Sequence, residues 1–510
     1  MKVSYDWLKD YLGEHAPSAD EIAELLTFHS FEIEEVEAVA DDTVIDVDVL
    51  PNRSSDCLCH RGIAREVATI TNTPLEHDPL AAAPELAGTD SISVDIKDTA
   101  ACPRFTASVI RGVKVGESPE WLQKRLKAIG QRPINNIVDA TNYVMFTIGQ
   151  PLHAYDATKF PQVAGTWQFV VRPAEEGEVV SLIAEGGKNE DRDVVCKAGE
   201  LLIVDGSSNT AIGLAGVKGG RFAGVDESTT DVIIEAAHFH PNLTRQTARR
   251  LGIVIGASKR FENECSRELP LYAQRDIIDL IIDIAGGTFE GVIDTYPVPQ
   301  EQVEVMVRTE AVNRLLGLTL TETEMIDLIQ RTGSTVRAEA GVLYCTGPFE
   351  RTDLLIEEDF IEEIGRIYGY QHVASVVPEA TELTEINSDH YYSEIVRDVL
   401  MQEGFSEVIT SSFRKKDVIQ LRNALASDKS YLRSSLVKNI SEALDKNAGL
   451  TDLLGTTDTR VFEIGTVFDK TADDVTEHTA LCIGARLRPS GYSGKKTNSL
   501  LMFAKNCCRT

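Results

Sequence analysis

The length of the chain is the feature that most limits what it can fold into. Single hydrophobic cores stop growing at about 250–300 residues, and the chain has 510 residues. Domains usually contain about 100–200 residues, so three or four domains are expected. Hydrophobic residues make up 43% of the chain and charged residues 25%, which are proportions typical of globular domains. The sequence therefore predicts several separately packed domains rather than one core.

The composition also argues against several classes of protein. No apolar run approaches the ~20 residues that a membrane helix needs, and residues 1–7 lack the basic-then-apolar order of a signal peptide. We therefore expect no membrane association. The nine cysteines are scattered and form no CxxC pair, which disfavours a zinc site or a disulfide framework and favours a reducing cytoplasm.

The net charge of −30 restricts how the chain could bind a nucleic acid. A surface that held RNA by its phosphates should be basic, at least locally. Any RNA contact must therefore use a small basic patch or a partner subunit. The densest basic stretch is residues 245–250, where phosphate contacts and ordinary salt bridges are both open interpretations.

Changes in pattern divide the chain into four regions. Many short strands and glycines, broken by single helices, indicate an α+β body in the middle. Two helical stripes indicate a smaller helical region with a β-hairpin. The predicted fold class is multidomain α+β, and the predicted boundaries are residues 1–82, 90–299, 300–375 and 380–510.

Local signals predict individual elements. Capping boxes beginning at Ser18 and Thr321 each predict the start of a helix. Ser118 is predicted to cap the helix that begins at Pro119. Residues 405–413 and 461–468 are predicted to be strands.

An acidic cluster follows Arg351 in the sequence. Asp353 is predicted to be a helix N-cap, and Asp359, Glu362 and Glu363 are spaced to share one helix face. Carboxylates this close repel one another unless a positive charge compensates, and hard oxygen ligands suit Mg²⁺. A solvated acidic helix face explains the same spacing, so both interpretations stay open.

An amide-rich segment, residues 135–145, precedes a Gly-Gln-Pro turn at residues 149–151 and then His153. Amides and an imidazole gathered in this way would suit the floor of a polar pocket. His153 lies between Leu152 and Ala154, so a hydrogen-bonded core histidine is the open alternative.

Four glycines occur within residues 213–220, and they would let the backbone approach a ligand closely. No GxxxxGK[ST] or GxGxxG pattern is present, so a nucleotide-binding loop is not indicated. The alternative is a tight β-turn with a bulge. Glu235 follows between Ile234 and Ala236, which predicts a partly buried carboxylate that needs a partner.

Several stretches taken in order carry a specific likeness. They are LPNRSSDCLCHRGIARE at residues 50–66, RPINNIVD at 132–139 continuing through residue 154, LAGVKGG at 214–220, TARRLG at 247–252, RTD at 351–353 leading to IYGY at 367–370, YLRSSL at 431–436 and FEIG at 462–465. In this order they resemble the beta subunit of bacterial-type phenylalanyl-tRNA synthetase. The likeness covers most of the chain up to about residue 485.

The resemblance implies a function and partners. It implies a beta subunit that supports ATP-dependent charging of tRNA(Phe) by an alpha subunit, which holds the class II aminoacylation site. The assembly implied is a heterotetramer of two alpha and two beta subunits in the cytoplasm. The implied domains are an editing domain of mixed sheet and helices, a small helical B5-like domain and a partial class II synthetase-like antiparallel module.

The resemblance also implies site residues. The editing pocket, which hydrolyses mischarged Tyr-tRNA(Phe), matches catalytic positions Asn142, His153 and Glu235 and substrate-binding positions Thr141, Ala215, Gly216 and Gly219. The family's Mg²⁺ site matches Asp353, Asp359, Glu362 and Glu363.

The chemistry expected of this pocket follows from its substrate. A pocket that selects tyrosine must bind the phenolic hydroxyl, and a buried acceptor such as Glu235 would do so. Sites built in this way reject the analogue without the hydroxyl by about 10⁴–10⁵. We expect a water to attack the aminoacyl ester, with His153 and Asn142 orienting that water or the tRNA terminus. No Ser-His-Asp or Cys-His arrangement is evident in the sequence, so a covalent acyl-enzyme is not expected.

The chain departs from the family pattern in several places. Between Val39 and Asp46 there is no room for an OB-fold tRNA-binding insertion. We expect the catalytic-like module to be truncated and the anticodon-binding domain to be absent. Residues 263–265 replace an Arg-Gly-Val-like stretch, and Lys218 stands where methionine is common. Two alternatives are therefore a scaffold subunit with an inert pocket and a free-standing deacylase.

Overall fold

The chain divides into two compact units, Met1–Val376 and Val377–Thr510. Both units combine helices with sheets, which confirms the predicted mixed architecture; the finer division into four domains stays a prediction. No helix in the described part of the chain has the length and apolar character to cross a membrane. The computed structural model describes residues 1–183, 192–382, 385–450, 453, 455, 458–471, 474–487 and 499–504.

The first unit begins with a small antiparallel sheet covered by helices. Its elements are β1 (Lys2–Ser4), α1 (Tyr5–Leu12), a 3₁₀ turn (Gly13–His15), α2 (Ala19–His29), β2 (Glu32–Val39), β3 (Asp42–Asp48), a 3₁₀ turn (Pro51–Arg53), α3 (Ser54–Cys57) and α4 (His60–Thr71). The sheet order is β1-β3-β2. As predicted, Ser18 begins α2 through a capping box, in which its hydroxyl accepts from the amide of Glu21 and the Glu21 carboxylate accepts from the amide of Ser18.

The middle of the first unit contains two larger sheets. The strands are β4 (Ile92–Ile96), β5 (Arg104–Arg111), β6 (Leu152–Asp156), β7 (Trp167–Pro173), β8 (Val179–Leu182), β9 (Arg192–Val195), β10 (Leu201–Asp205), β11 (Thr210–Leu214), β12 (Lys218–Gly219), β13 (Asp231–His238) and β14 (Thr288–Thr295). One sheet has the order β12-β11-β10-β7-β4 and the other β14-β5-β13-β6, and β8 pairs with β9. The helices are α5 (Glu120–Ala128), α6 (Asn136–Ile148), a 3₁₀ turn (Ala157–Lys159), α7 (Pro241–Leu251), α8 (Gly256–Phe261) and α9 (Leu269–Ala285).

Helix α5 begins without the cap that the sequence predicted. Pro119 is its N-cap residue, and no side chain caps it. The hydroxyl of Ser118 instead donates to Oδ2 of Asp139 at 2.5 Å, which ties the start of α5 to α6. The prediction that Ser118 caps the helix was wrong because a buried carboxylate from a distant segment competes for the hydroxyl.

The first unit ends in a three-stranded sheet packed against three helices. The elements are β15 (Glu304–Arg308), α10 (Thr309–Leu316), α11 (Glu322–Arg331), β16 (Thr335–Glu339), β17 (Val342–Thr346), α12 (Glu357–Tyr368) and a 3₁₀ turn (Tyr370–His372). The strand order is β15-β17-β16, so a third strand joins the predicted hairpin. The capping box predicted at Thr321 is present, with Glu324 as its second member.

The second unit has two sheets and two long strands paired with each other. Its elements are α13 (Ser388–Gln402), β18 (Ser406–Glu407), β19 (Phe413–Arg414), β20 (Ile419–Gln420), β21 (Tyr431–Leu432), α14 (Val437–Asn447), β22 (Asp458–Lys470), β23 (Val475–Leu487) and β24 (Ser499–Ala504). The sheet orders are β18-β22-β23-β24 and β19-β21-β20. The strand predicted at residues 461–468 is confirmed within β22. The continuous strand predicted at residues 405–413 was wrong, since only its two ends pair, with different sheets.

A buried network of ion pairs joins α4 to α12 inside the first unit. Glu66 accepts from Nη2 of Arg53 at 2.8 Å and also pairs with Arg366. Arg366 reaches Glu363 at 2.6 Å. Burial acts to raise the pKa of Glu66, but the guanidiniums of Arg366 and Arg53 outweigh it and lower the pKa to about 2. The full network is Arg53, Asp56, Glu66, Arg351, Asp353, Glu363 and Arg366.

We expect Arg366→Met to lower the free energy of unfolding by about 3–5 kcal/mol at neutral pH, because it leaves Glu66 and Glu363 buried without their shared partner. The pKa of Glu66 lies below its ordinary value of 4.5, so the stabilisation is complete above that pH and is lost as the pH falls toward 2. The difference from the parent should shrink over the same range, as measured by urea denaturation. Arg337→Met, which breaks the exposed pair with Glu304, is the control and should cost at most about 1 kcal/mol. Equal losses for the two variants would contradict the prediction.

Candidate functional site

A cavity of about 470 Å³ is lined by both larger sheets and by helices α6 and α8. Its polar groups include the side chains of Asn142, His153 and Glu235. The apolar part of its wall includes Met145, Phe146, Ile203, Phe239 and Phe261. A cavity of this size, with a few polar groups on an apolar wall, is typical of a site that binds a small molecule or group.

Strand pairing brings His153 and Glu235 together. In the register of β6 and β13 the two residues are direct cross-strand partners, so their side chains emerge on the same face of the sheet. Tyr155 lies two residues after His153 on β6 and shares that face. Strand β13 is also paired with β5, where Glu235 lies opposite Ala107.

Helix α6 supplies the amide side of the cavity. Asn135 begins the helix by accepting from the amides of Ile137 and Val138. Thr141 and Asn142 then lie one turn further on and line the cavity. The hydroxyl of Thr141 donates to the carbonyl of Val138 at 2.7 Å, which leaves its oxygen as the group available to a ligand.

The glycine-rich loop between β11 and β12 forms another side of the cavity. Gly216 lies there at φ +69°, and Gly219 lies against the imidazole of His153. A Cβ on Gly219 would be 2.2 Å from Cε1 and 2.5 Å from Nε2 of that ring, so a side chain and the imidazole cannot both fit. Ala215 differs from the other predicted residues. It is buried in the apolar core behind the loop and is not among the lining residues.

Burial sets the protonation of the two titratable residues. Burial raises the pKa of Glu235 to about 7, and the hydroxyl of Tyr155, which donates to Oε2 at 2.5 Å, opposes this rise. Burial lowers the pKa of His153 to about 4, so the imidazole is neutral at neutral pH. Its Nε2 atom is buried and has no hydrogen-bond partner within the described residues. An unpaired polar atom of this kind is unusual away from functional sites.

Tyr155 lines the cavity and was not among the predicted site residues. Its hydroxyl contacts the buried carboxylate of Glu235 directly. The available signal was its position two residues after His153 on a strand, which predicts a shared face. That position does not predict that the Tyr155 hydroxyl pairs with Glu235, which lies 80 residues away in the chain.

The four carboxylates of the acidic cluster do not converge. Asp353 and Glu363 are both bound by Arg351, at 2.7 and 3.0 Å. The carboxylate of Asp359 accepts from two backbone amides at the start of α12. Glu362 is exposed. In the part of the chain that the structure describes, no three acidic, histidine or cysteine residues are grouped so that they could hold a metal. As arranged, these side chains do not fit a magnesium ion.

The prediction that Asp353 caps a helix was wrong. Helix α12 begins at Glu357 with Ile356 as its N-cap residue. The carboxylate of Asp359 accepts from the amides of Leu355 and Ile356 just before the helix, and Arg351 holds Asp353 in a bidentate ion pair. The guanidinium, which offers charge as well as two donors, outcompetes a helix end as the partner of this half-buried carboxylate.

Three family models match the chain in order. The model of the B3/4 domain matches residues 101–286, that of the tRNA synthetase B5 domain residues 305–370, and that of the phenylalanyl tRNA synthetase beta chain CLM domain residues 373–506. A phenylalanine–tRNA ligase beta subunit from Rhodopirellula baltica is 37% identical over 487 residues, covering 92% of this chain and 68% of that protein. The chain belongs to the family of phenylalanine–tRNA ligase beta subunits. The resemblance identified from the motifs is thereby confirmed.

Other members of this family align over a smaller share of their length. A beta subunit from Geobacter sulfurreducens is 33% identical over 479 residues, covering 89% of this chain and 58% of that protein. The chain thus spans between just over half and about two thirds of the length of these relatives. An N-terminal fragment of the phenylalanyl-tRNA synthetase beta-subunit from Pyrococcus horikoshii aligns in three dimensions with a TM-score of 0.42 and 15% identity, covering 72% of this chain and 99% of that one.

We expect Gly219→Ala to displace the imidazole of His153, because its new Cβ would overlap the ring. Overpacking of this kind costs about 1–3 kcal/mol. Thermal unfolding measures the loss, and the NMR signals of the His153 ring report its displacement. Gly116→Ala is the matched control, since a Cβ there meets no atom within 4 Å. An unmoved His153 ring in Gly219→Ala would contradict the expectation.

Proposed function

We propose that the chain acts as the beta subunit of a phenylalanine–tRNA ligase and that its cavity hydrolyses mischarged Tyr-tRNA(Phe). In this role it supports ATP-dependent charging of tRNA(Phe) by an alpha subunit in the cytoplasm. The observation that carries the editing proposal is the buried carboxylate of Glu235 facing the same cavity as Asn142 and His153. Family membership supports the subunit role.

Selection of tyrosine follows from the cost of leaving one carboxylate oxygen of Glu235 without a donor. A bound tyrosyl group can donate its phenolic hydroxyl to Oε1 of the carboxylate, whereas a phenylalanyl group leaves that buried oxygen without a donor. The apolar wall accepts the ring of both amino acids and does not discriminate between them. Discrimination therefore rests on Glu235, and it can reach about 10⁴–10⁵ for a site of this type.

The hydrolytic step uses water as the nucleophile. The water adds to the ester carbonyl carbon, and the bond between that carbon and the ribose oxygen breaks. Free tyrosine and tRNA with a restored terminal hydroxyl result. The neutral imidazole of His153 can orient the water or the tRNA terminus, and Asn142 supplies both a donor and an acceptor. Thr141, Gly216 and Gly219 complete the proposed substrate-binding wall, with Ala215 supporting it from behind.

We expect the chain to deacylate Tyr-tRNA(Phe) and to leave Phe-tRNA(Phe) intact. Glu235→Ala should lower the rate with Tyr-tRNA(Phe) by at least about 10²-fold, because it removes the group that recognises the hydroxyl. Release of labelled tyrosine measures the rate. Glu120→Ala, an exposed carboxylate on α5, is the control and should not change it. Parental activity in Glu235→Ala would contradict the assignment, and an inactive parent that still binds an alpha subunit would favour the scaffold alternative.

The domain assignments are part of the same proposal. Residues 1–82 form the N-terminal beta-subunit domain, residues 90–299 the editing domain, residues 300–375 the B5-like domain and residues 380–510 a class II synthetase-like module. The family models for the B3/4, B5 and CLM domains match in the same order and support this division.

Helix α13 supports the proposed partnership with an alpha subunit in a heterotetramer. None of its residues is buried, although Tyr392, Ile395 and Val399 form an apolar stripe with exposures of 57%, 44% and 53%. An apolar helix face of this kind is typical of a surface that a partner covers.

We expect Ile395→Glu combined with Val399→Glu to abolish co-purification with an alpha subunit, because two charges would be buried in the interface. Met401→Glu is the matched control. Met401 is 54% exposed and lies on a different face of the same helix, so this variant should still bind. Retained binding by the double variant would show that the alpha subunit does not cover this face. Tyr-tRNA hydrolysis by a chain that binds no alpha subunit would favour the free-standing deacylase.

Contacts with tRNA(Phe) and with Mg²⁺ stay predictions. Arg245 and Arg249 are exposed on α7 and could form the small basic patch that an acidic chain requires. For Asp353, Asp359, Glu362 and Glu363 to bind Mg²⁺, the carboxylates of Asp353 and Glu363 would have to leave Arg351. No step of the proposed reaction uses a metal.

A further inference from the structure

Tyr155 and Glu235 form a hydrogen-bonded pair at the cavity. The phenolic hydroxyl donates to Oε2 of the carboxylate at 2.5 Å, and the two residues are 1% and 6% exposed. Within the described residues no other group hydrogen-bonds to this carboxylate. One oxygen is therefore occupied by the protein, and Oε1 is left for another donor.

The ring of Tyr155 cannot move away easily. It makes edge contacts with Phe160 at 5.7 Å and with His153 at 4.5 Å between ring centroids, and it packs against Phe169 at 5.6 Å. These residues belong to or adjoin the largest apolar core of the first unit. A hydroxyl held by such a ring is a donor at a fixed position, so it determines the orientation of the carboxylate that accepts from it.

We propose that Tyr155 is a positioning residue for tyrosine selection: its hydroxyl holds Oε2 of Glu235 and thereby presents Oε1 to the phenol of the substrate. The inference rests on the proposed editing function. The phenol that holds Oε2 belongs to the protein, so it is present whether or not a substrate is bound. Tyr155 acts through Glu235 and does not contact the reacting ester.

The pair also affects the charge of the carboxylate. Burial raises the pKa of Glu235 to about 7, and the bond from Tyr155 is the contribution that lowers it. The other titratable groups near it are His153 on β6, the buried thiol of Cys102 before β5 and Lys218 on β12. The imidazole of His153 is neutral at neutral pH, since its pKa is about 4. Removal of the Tyr155 hydroxyl therefore favours the protonated form of Glu235.

The test is Tyr155→Phe, which removes the hydroxyl and keeps the ring. Hydrogen bonds to charged groups are strong enough to move a pKa by about one unit or more. The rising limb of Tyr-tRNA deacylation should therefore move from near pH 7 to about pH 8 or above, and the preference for Tyr-tRNA over Phe-tRNA at pH 7 should fall about fivefold or more. Tyr296→Phe is the matched control, because Tyr296 donates to Glu268 at 2.8 Å in a pair outside the cavity. It should leave the pH profile unchanged.

A second measurement does not depend on activity. Difference infrared spectra between the parent and Glu235→Gln isolate the carbonyl stretch of the protonated Glu235 carboxyl, and its titration gives the pKa directly. The inference predicts a higher pKa in Tyr155→Phe and no change in Tyr296→Phe. An unmoved titration in a folded Tyr155→Phe variant would overturn it. A parent that fails to hydrolyse Tyr-tRNA would instead overturn the proposed function, and the infrared titration would still decide whether Tyr155 controls the carboxylate.

Discussion

The pairing of β13 with a strand on each side is the constraint on which the cavity depends. All eight residues of β13 are in register with β5, and five of them also pair with β6. A strand held on both edges cannot slide by one residue without moving every side chain to the opposite face. Glu235 is therefore kept on the cavity face, opposite His153, despite the cost of burying its carboxylate.

Buried carboxylates in the first unit have two different surroundings, which shift their pKa values in opposite directions. In the network that joins α4 and α12, arginines surround Glu66 and Glu363, and the pKa of each lies below its ordinary value because these positive charges outweigh burial. Among the described residues no arginine pairs with Glu235, and burial raises its pKa. The first arrangement stabilises a junction between segments. The second leaves a carboxylate free to respond to a ligand, as is typical of functional sites.

The acidic cluster after Arg351 illustrates the limit of spacing as a guide. Helical periodicity brings Asp359, Glu362 and Glu363 within one turn, and the sequence left a metal site and a solvated face as alternatives. The actual partners of Glu363 include Arg366, one turn along the same helix, and Arg351, twelve residues away. Neither alternative anticipated that arginines would occupy two of the four carboxylates.

Sequence patterns predicted the start of a helix correctly where the contacts that define it join residues close together in the chain. The capping boxes at Ser18 and Thr321 involve residues three apart, so their partners lie within the pattern itself. The sequence also determined the family, because ordered motifs over most of the chain are specific even when each is weak. Through that resemblance it grouped Asn142, His153 and Glu235, which line one cavity. The caps predicted at Ser118 and Asp353 and the continuous strand predicted at residues 405–413 are the local assignments that were wrong.

Only the tertiary structure decided which polar groups are paired. Ser118 bonds to Asp139, Arg366 to Glu66, and Tyr155 to Glu235, across separations of 21, 300 and 80 residues. No periodicity or motif contains such pairs, because each exists only when separate strands and helices pack together. Burial then strengthens these interactions by excluding water, so the contacts that determine charge and selectivity are those that the sequence by itself reveals least.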